Sequence, residues 1–366
     1  MSVLTVIPLM GAGGAETVAD ALLRDQLHRG EAPLLATSGG FRLAPLADAG
    51  VTAVPVRLAG RAPRDLLGSV LALRRAVRRH RPEVVHAHNV KAGLVARLAV
   101  GRSVPVLTTV HGVPDREYAL AARLLRRTSD RIVAVSTGVR ERLLDAGLGT
   151  EVTVVENGVA TPTLPRRRAA RAALGLPEGS AVVLCLARLA PQKRHDLLLD
   201  AWARLAPSDA LLVLAGDGPT RPAVERTVDA LGLRSRVRLL GERTDVGALL
   251  AAADLAVLAS DWEGLPVSLL EAMAAAVPVV ATRVGDLDTS LGTAARLVPP
   301  GSAAALATAL GGLLDDPAAR ARLGGAGRRL VLERYDEERM LRTYAEHLET
   351  LRFTGVLRRA IAGAAR

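Results

Sequence analysis

Ser260-Asp-Trp-Glu-Gly-Leu-Pro-Val-Ser-Leu-Leu-Glu-Ala-Met-Ala-Ala-Ala-Val-Pro-Val-Val-Ala-Thr282 reads as the end of a strand, a tight acidic loop, a helix and a second strand. Residues 255–259 form a short apolar run, as a strand buried on both faces does. Glu263-Gly264 turns the chain. Pro266 suits the first helical position, where its missing N–H costs nothing. A helix is predicted over 266–276 and a strand over 278–281. Glu263 therefore sits at a strand's carboxyl end, just before a helix N-terminus, and Glu271 lies inside that helix. Ligands of open α/β sheets bind at strand carboxyl ends, and helix N-termini attract phosphate. An acid pair placed here points to a polyhydroxylated ligand beside a phosphate. The competing reading is an ordinary βαβ unit whose glutamates are solvated.

Working outward, the same alternation fills the chain. In the first half, strands are predicted at 3–9, 33–36, 51–56, 84–86, 104–109, 132–135 and 152–155. A glycine-rich turn at 11–16 opens an amphipathic helix to about residue 29, and further helices are predicted at 63–79, 90–100, 117–127 and 137–146. A linker over 158–165 contains Pro162 and Pro165. The second half has strands at 182–187, 211–215, 237–240, 255–259, 279–281 and 295–298. Its helices are predicted at 166–174, 195–205, 221–231, 246–252 and 302–314, besides 266–276, and it ends in helices at 318–334 and 336–351. The fold class is therefore α/β, with two Rossmann-like parallel-sheet domains and a cleft expected between them. The expected division is 1–162, 163–334 and terminal helices over 335–366.

The totals narrow the class. The chain has 366 residues, 49% of them hydrophobic, enough for two cores. One cysteine, Cys185, sits in an apolar run and reads as a buried small hydrophobe. It allows no disulfide framework, in keeping with a reducing compartment. The N-terminus enters a strand-like run at once, so no leader is expected, and no apolar run reaches membrane-spanning length. A cytoplasmic protein is expected. Net charge is +11, yet aromatic residues are only 2%, which leaves few stacking platforms for nucleic acid. The arginines spread over most predicted helices. A basic face toward anionic lipid at the inner membrane surface, or toward a phosphorylated substrate, fits better. The helix bearing Arg74, Arg75, Arg78, Arg79 and Arg81 is one candidate. The run 352–366, with four arginines and no acid, is another. A solvated helix face is the alternative for both.

Other strand ends carry chemistry. Gly11-Ala-Gly-Gly-Ala-Glu16 lacks the third glycine of a dinucleotide fingerprint, which disfavours an NAD-dependent oxidoreductase, but it would let a phosphate approach the backbone. His86-Ala-His88 shares one strand face and reads as a metal pair or, with no third ligand nearby, as structural histidines. His111 follows a strand and precedes Gly112. Arg188 and Lys193, five residues apart across a loop with Pro191, could converge on one anion. Gly216-Asp-Gly-Pro219 is another strand-end turn.

Together these segments resemble the glycosyltransferase family 4 enzymes, which are retaining and of GT-B fold. Glu263-x7-Glu271 within Glu-Gly-Leu-Pro and Glu-Ala-Met-Ala carries the signature. Gly13-Gly14-Ala-Glu16, Thr109-Val-His111-Gly112, Asn157-Gly158-Val159, Arg188-Leu-x3-Lys193 and Gly216-Asp-Gly-Pro219 follow in the family's order. The resemblance covers residues 3 to about 350. It implies that Arg188 and Lys193 bind the diphosphate of a UDP- or GDP-sugar and stabilise the leaving nucleotide. Glu271 would hold the ribose, and Glu263 with the backbone of Gly264, Leu265 and Pro266 would hold the sugar. His111 would reach the sugar, Gly14 the phosphates, and the segment from Gly241 to Arg243 the base, with Gly216 in the donor site. No metal and no other cofactor are implied. The acceptor would be a hydroxyl-bearing glycan or lipid-linked molecule bound by the N-terminal half. Two departures stand out: Arg283-Val-Gly-Asp286 where the family often has two glycines, and Ala187 before Arg188 where glycine is common. An epimerase on the same fold, or a silent binding subunit, are the alternatives.

Overall fold

The structure, a computed structural model, describes all residues except 61, 150, 206–208, 365 and 366, and all side chains except those and 356–364. Most of the basic run 352–366 therefore lies outside the described side chains. Contacts divide the chain into two units, one of Met1–Asn157 with Glu338–Arg366, the other of Gly158–Glu337. No helix among the described residues is long and apolar enough to cross a membrane.

The first unit holds seven parallel strands: β1 Val3–Val6, β2 Leu34–Thr37, β3 Thr52–Pro55, β4 Val84–Ala87, β5 Val106–Val110, β6 Arg131–Ala134 and β7 Val152–Val154. Their order is β3-β2-β1-β4-β5-β6-β7. The sheet grows one way from β1 to β3, and the chain then crosses back to lay β4 on the other side of β1, which makes the β1/β4 boundary a topological switch point. On one face Leu4, Val6, Val85 and Val106 pack with Leu73 of helix Pro63–His80 and Val95 of helix Val90–Val100. On the other, Ile7 and Leu35 pack with Ala19 and Leu23 of helix Gly14–His28. Burial on both faces explains why the central strands read as continuous apolar runs rather than alternating ones. The last helix, Glu337–Ala364, belongs to this unit from Glu338 onward. It buries Tyr344, Leu348 and Leu351, Arg352 donates to Glu83 at 2.8 Å, and Gly355 packs against Pro105. Each large apolar side chain so buried contributes about 1.5–3 kcal/mol. The helix continues well past the expected end at 351.

The second unit holds six parallel strands: β8 Val182–Leu186, β9 Leu211–Ala215, β10 Val237–Gly241, β11 Leu255–Leu258, β12 Val279–Thr282 and β13 Arg296–Val298. The order β10-β9-β8-β11-β12-β13 repeats the first unit's plan, with the switch point between β8 and β11. Trp202, Leu198, Leu212, Val257, Leu306 and Leu310 form its core. Arg171 is a charged residue buried beside it. Its side chain, 1% exposed, donates to the carbonyls of Ala252, Pro177, Glu178 and Ser180 and to the Asp254 carboxylate.

Differences from expectation are local. The helix predicted over 266–276 spans Val267–Ala274. Pro266 caps it, with extended backbone at ψ 113°, rather than starting it, and Ala276 at φ 59° stops it. Two helices, Leu43–Asp48 and Leu287–Leu291, were not expected. At six and five residues they are too short to show a 3.6-residue period.

Candidate active site

In the C-terminal unit the sequence candidates gather on the loops that leave β8 and β11, the two strands flanking the switch point. The loop after β8 is fixed by backbone bonds to its neighbour. Ala187 N donates to Ala215 O at 3.1 Å, Leu189 N to Asp217 O at 2.9 Å and Thr220 N to Leu189 O at 3.1 Å. Gly216 N in turn donates to Gly241 O at 2.7 Å, at the end of β10. Gly216 and Gly218 have φ of 148° and 157°. A Cβ at either would lie 2.1 Å from Ala187 O or 2.3 Å from Leu189 O. Only glycine meets both the conformation and the space. Arg188, which leaves this seam, is exposed and has no ion pair among the described residues.

Lys193 ends a short 3-10 turn, Pro191–Lys193. Its Nζ lies 2.5 Å from Glu263 Oε1, and the two side chains are 15% and 8% exposed. Ser260 Oγ donates to the same Oε1 at 2.5 Å, and the Ser260 carbonyl accepts from Thr282 Oγ1 at 2.6 Å. Asp261 N donates to Gln192 O at 2.8 Å, so backbone as well as charge ties the two loops. Arg194, left-handed at φ 48°, forks onto Asp196 and reaches Asp261 at 2.9 Å. The hydrogen bonds it donates to those two carboxylates raise its already high pKa. Gly264, Leu265 and Pro266 are buried, and Glu271 is half-buried on the helix they open. Beneath the loop Cys185 is 1% exposed, its thiol pushed up to about 12 by burial, with His195 Nε2 3.8 Å away.

Arg243 stands apart from this cluster. It lies after β10, an edge strand of the sheet, and its guanidinium pairs with Asp245 at 2.6 and 2.8 Å. Sequence reasoning placed the arginine but not its partner, and it gave no role to Ser260 or Thr282. A small hydroxyl at a strand end was the only available signal.

In the N-terminal unit, Gly13 caps helix Gly14–His28. The Glu16 carboxylate folds back to within 2.1 Å of where a Gly13 Cβ would stand, so a side chain there would displace it. His86 and His88 share a face, as expected, with ring centroids 4.2 Å apart. Each has its own partner: His86 Nε2 lies 2.8 Å from Thr109 Oγ1, and His88 Nδ1 lies 3.2 Å from His111 Nε2. Thr109 Oγ1 also reaches Tyr344 Oη at 3.3 Å. Burial pushes His86 down to about 3 and His111 to about 4, and places His88 well below its usual range. All three rings are neutral at pH 7.

Comparisons with known proteins identify the family. The sequence matches Glycosyltransferase Family 4 over residues 12–162 and Glycosyl transferases group 1 over residues 180–316. It is 31% identical over 224 residues to the lipopolysaccharide core biosynthesis glycosyltransferase LpsE of Rhizobium meliloti, covering 61% of this chain and 65% of LpsE, just under two thirds. It is 31% identical over 290 residues to the D-inositol 3-phosphate glycosyltransferase of Kineococcus radiotolerans, covering 68% of this chain and 67% of that one. The crystal structure of Anabaena HepE in complex with UDP-glucose superposes with a TM-score of 0.83 at 23% identity, over 96% of this chain and 100% of HepE. WaaG, a glycosyltransferase involved in lipopolysaccharide biosynthesis, does so at 0.78 and 20%, over 94% and 99%. Two switch-point sheets, a strand-end Arg/Lys pair and the Glu263–Glu271 helix thus lie where the sequence match runs, and the chain belongs to glycosyltransferase family 4, with the GT-B fold.

Proposed function

We propose that the protein transfers a sugar from a nucleoside diphosphate sugar, with UDP or GDP as the nucleotide, to a hydroxyl group of a glycan or lipid-linked acceptor, with retention at the anomeric carbon. One observation carries the reading: the cations Arg188 and Lys193 and the acids Glu263 and Glu271 leave the two strands that flank the switch point of one sheet. Arg188 is free to fork onto a diphosphate, and Lys193 supplies a point charge beside it. Departure of the nucleotide builds negative charge on its phosphates, where a preorganised cation pair stabilises the transition state. Glu271 holds the ribose; Glu263 and the backbone from Gly264 to Pro266 hold the sugar. His111 contacts the sugar and Gly14 leaves room for phosphate. The bond from the anomeric carbon to phosphate breaks as that to the acceptor oxygen forms on the same face, and the leaving phosphate takes the acceptor's proton. No protein nucleophile is required. Two bonds to Glu263 Oε1 support that, since they hold the carboxylate as an acceptor in a network. Neither a metal nor another cofactor enters this scheme.

The test is kinetic. Lys193→Ala and Glu271→Ala should each lower kcat/KM by about 10²–10³-fold, assayed at a temperature where circular dichroism shows each variant still folded. A thermal-shift panel of nucleotides identifies the donor base, because a ligand of the native state raises Tm. Wild-type kcat/KM in both variants, or release of an epimerised donor in place of a transferred sugar, would overturn the reading.

A basic face supports the acceptor side at a membrane. Helices Pro63–His80, Val90–Val100 and Tyr118–Thr128 pack side by side on one face of the first sheet and hold a single acid, Asp65. Arg75, Arg78, Arg123 and Arg126 are exposed on these helices, as are Leu67 and Leu120, at 62% and 56%. Each arginine near an anionic lipid surface contributes about 1 kcal/mol. Co-sedimentation with phosphatidylglycerol vesicles should exceed that with phosphatidylcholine alone; equal binding refutes the assignment.

A further inference from the structure

His86, His88 and His111 of the N-terminal unit contain a choice that the geometry decides. Neutral imidazole carries one N–H, so in any pair of rings joined by a hydrogen bond one nitrogen donates and the other accepts. His88 is 1% exposed, and its Nε2 is buried with no partner. If Nε2 carried the proton, a buried N–H would be left without an acceptor, the costlier of the two orphans. The proton therefore sits on Nδ1, and His88 donates to His111 Nε2, 3.2 Å away. A neutral His111 that accepts at Nε2 must carry its proton on Nδ1. His111 is the half-buried member of the set, and Nδ1 is the nitrogen not engaged by His88.

His86 obeys the same logic. Its Nδ1 is buried and unpartnered, so its Nε2–H donates to Thr109 Oγ1 at 2.8 Å. Thr109 in turn meets Tyr344 Oη, and the His86 and Tyr344 rings lie 5.4 Å apart. This packs one side of His88 with a ring whose own orientation is fixed. His88 and His111 are nearly parallel, at 15° between ring planes.

We propose that His88 is a positioning residue that fixes His111 as an Nδ1–H donor, so that the ring offers a hydrogen bond to an oxygen of the bound sugar or phosphate and cannot accept one. The neutral state of all three rings supports it, since a charged His111 would donate from both nitrogens and need no relay. The proposal rests on the sugar-transfer reading for its ligand, though not for its tautomer.

The experiment uses the full chain labelled with 15N-histidine. Long-range 1H–15N correlation spectra at pH 7.5 report which ring nitrogen is bare. The expected result is a protonated Nδ1 and a bare Nε2 on both His88 and His111. A bare Nδ1 on His111 overturns the proposal, whatever the variants do. His88→Leu removes the donor and should lower kcat/KM by about fivefold to tenfold, the worth of one hydrogen bond. His88→Asn keeps a donor where Nδ1 stood, and should restore both the His111 tautomer and most of the rate. Unchanged kcat/KM in His88→Leu, or equal losses in His88→Leu and His88→Asn, overturns the positioning role. Inactivity of the wild-type chain toward every nucleotide sugar would instead sink the sugar-transfer reading, and the spectrum would still decide the tautomer.

Discussion

Removing one member of the Lys193–Glu263 pair should affect stability and nucleotide binding in opposite patterns. Both charges are largely buried. Two unit charges about 4 Å apart attract by about 4 kcal/mol at an effective dielectric of 20. Desolvation offsets most of that, so the intact pair is worth little, while removing one partner costs about 3–5 kcal/mol. Lys193→Met and Glu263→Gln should each fall toward the lower part of that range. In Glu263→Gln the lysine can turn to solvent, and the new side-chain amide still accepts from Ser260. The double variant should cost about as much as one single, a coupling of at least about 2 kcal/mol. Tryptophan fluorescence during urea unfolding reads this unit by itself, since the chain's two tryptophans, Trp202 and Trp262, both lie in it. Binding should split the singles. In the unliganded protein Glu263 competes with phosphate for the ammonium, so Glu263→Gln should bind UDP or GDP as tightly as wild type or more so. Lys193→Met should lose a charge-assisted bond, about 1.5–3 kcal/mol or 10–150-fold. Additive stability costs, or an unchanged affinity in Lys193→Met, would refute the reasoning.

Three further outcomes are expected. Gly216→Ala should lose at least about 1–3 kcal/mol from backbone strain alone, and nucleotide affinity with it, because the added Cβ pushes the carbonyl before Arg188; calorimetric titration and urea melts check both, and wild-type values would refute the seam. Asp254→Ala should destabilise the C-terminal unit by about 3–5 kcal/mol, since it strips the countercharge from the buried Arg171, and a loss under about 1 kcal/mol in urea would refute it. Stability should fall as pH drops from 7 to 5. His86 and His111 have folded pKa values depressed to about 3 and about 4, and His88 lies well below its usual range, against about 6.5 unfolded. Their contribution is therefore complete above pH 6.5 and is lost as pH falls toward 4, at up to about 1.4 kcal/mol per unit for each ring. A circular-dichroism melting temperature that stays level over that window would contradict the buried neutral state.

Local pattern carried much of this into view. Buried parallel strands such as Val182–Leu186 and Leu255–Leu258 are apolar throughout, and turns such as Gly216-Asp-Gly-Pro219 punctuate them, so the alternation and the strand-end positions of Arg188, Lys193, Glu263 and His111 were legible. Pairings across the sheet were not. Lys193 and Glu263 are 70 residues apart, and nothing in either neighbourhood says that one takes the other's charge. The same holds for Thr109 and Tyr344, 235 residues apart, whose bond depends on the return of the last helix. Arg243 shows the opposite case: Asp245 is two residues away, yet proximity in sequence did not reveal that the arginine's charge would be taken locally. Short helices such as Leu287–Leu291 escape because periodicity needs more than one turn.

The last helix has a consequence for biogenesis. The first unit is discontinuous: its sheet is complete by Val154, but Tyr344, Leu348 and Leu351 come from a segment made after the whole second unit. On the ribosome the second unit, continuous from Gly158 to Glu337, has all its residues before the first has its final helix. The early sheet must wait with the Tyr344 site open and Thr109 exposed to solvent. The later unit thus becomes the earlier one to close, and the chain's order of synthesis is reversed in its order of completion.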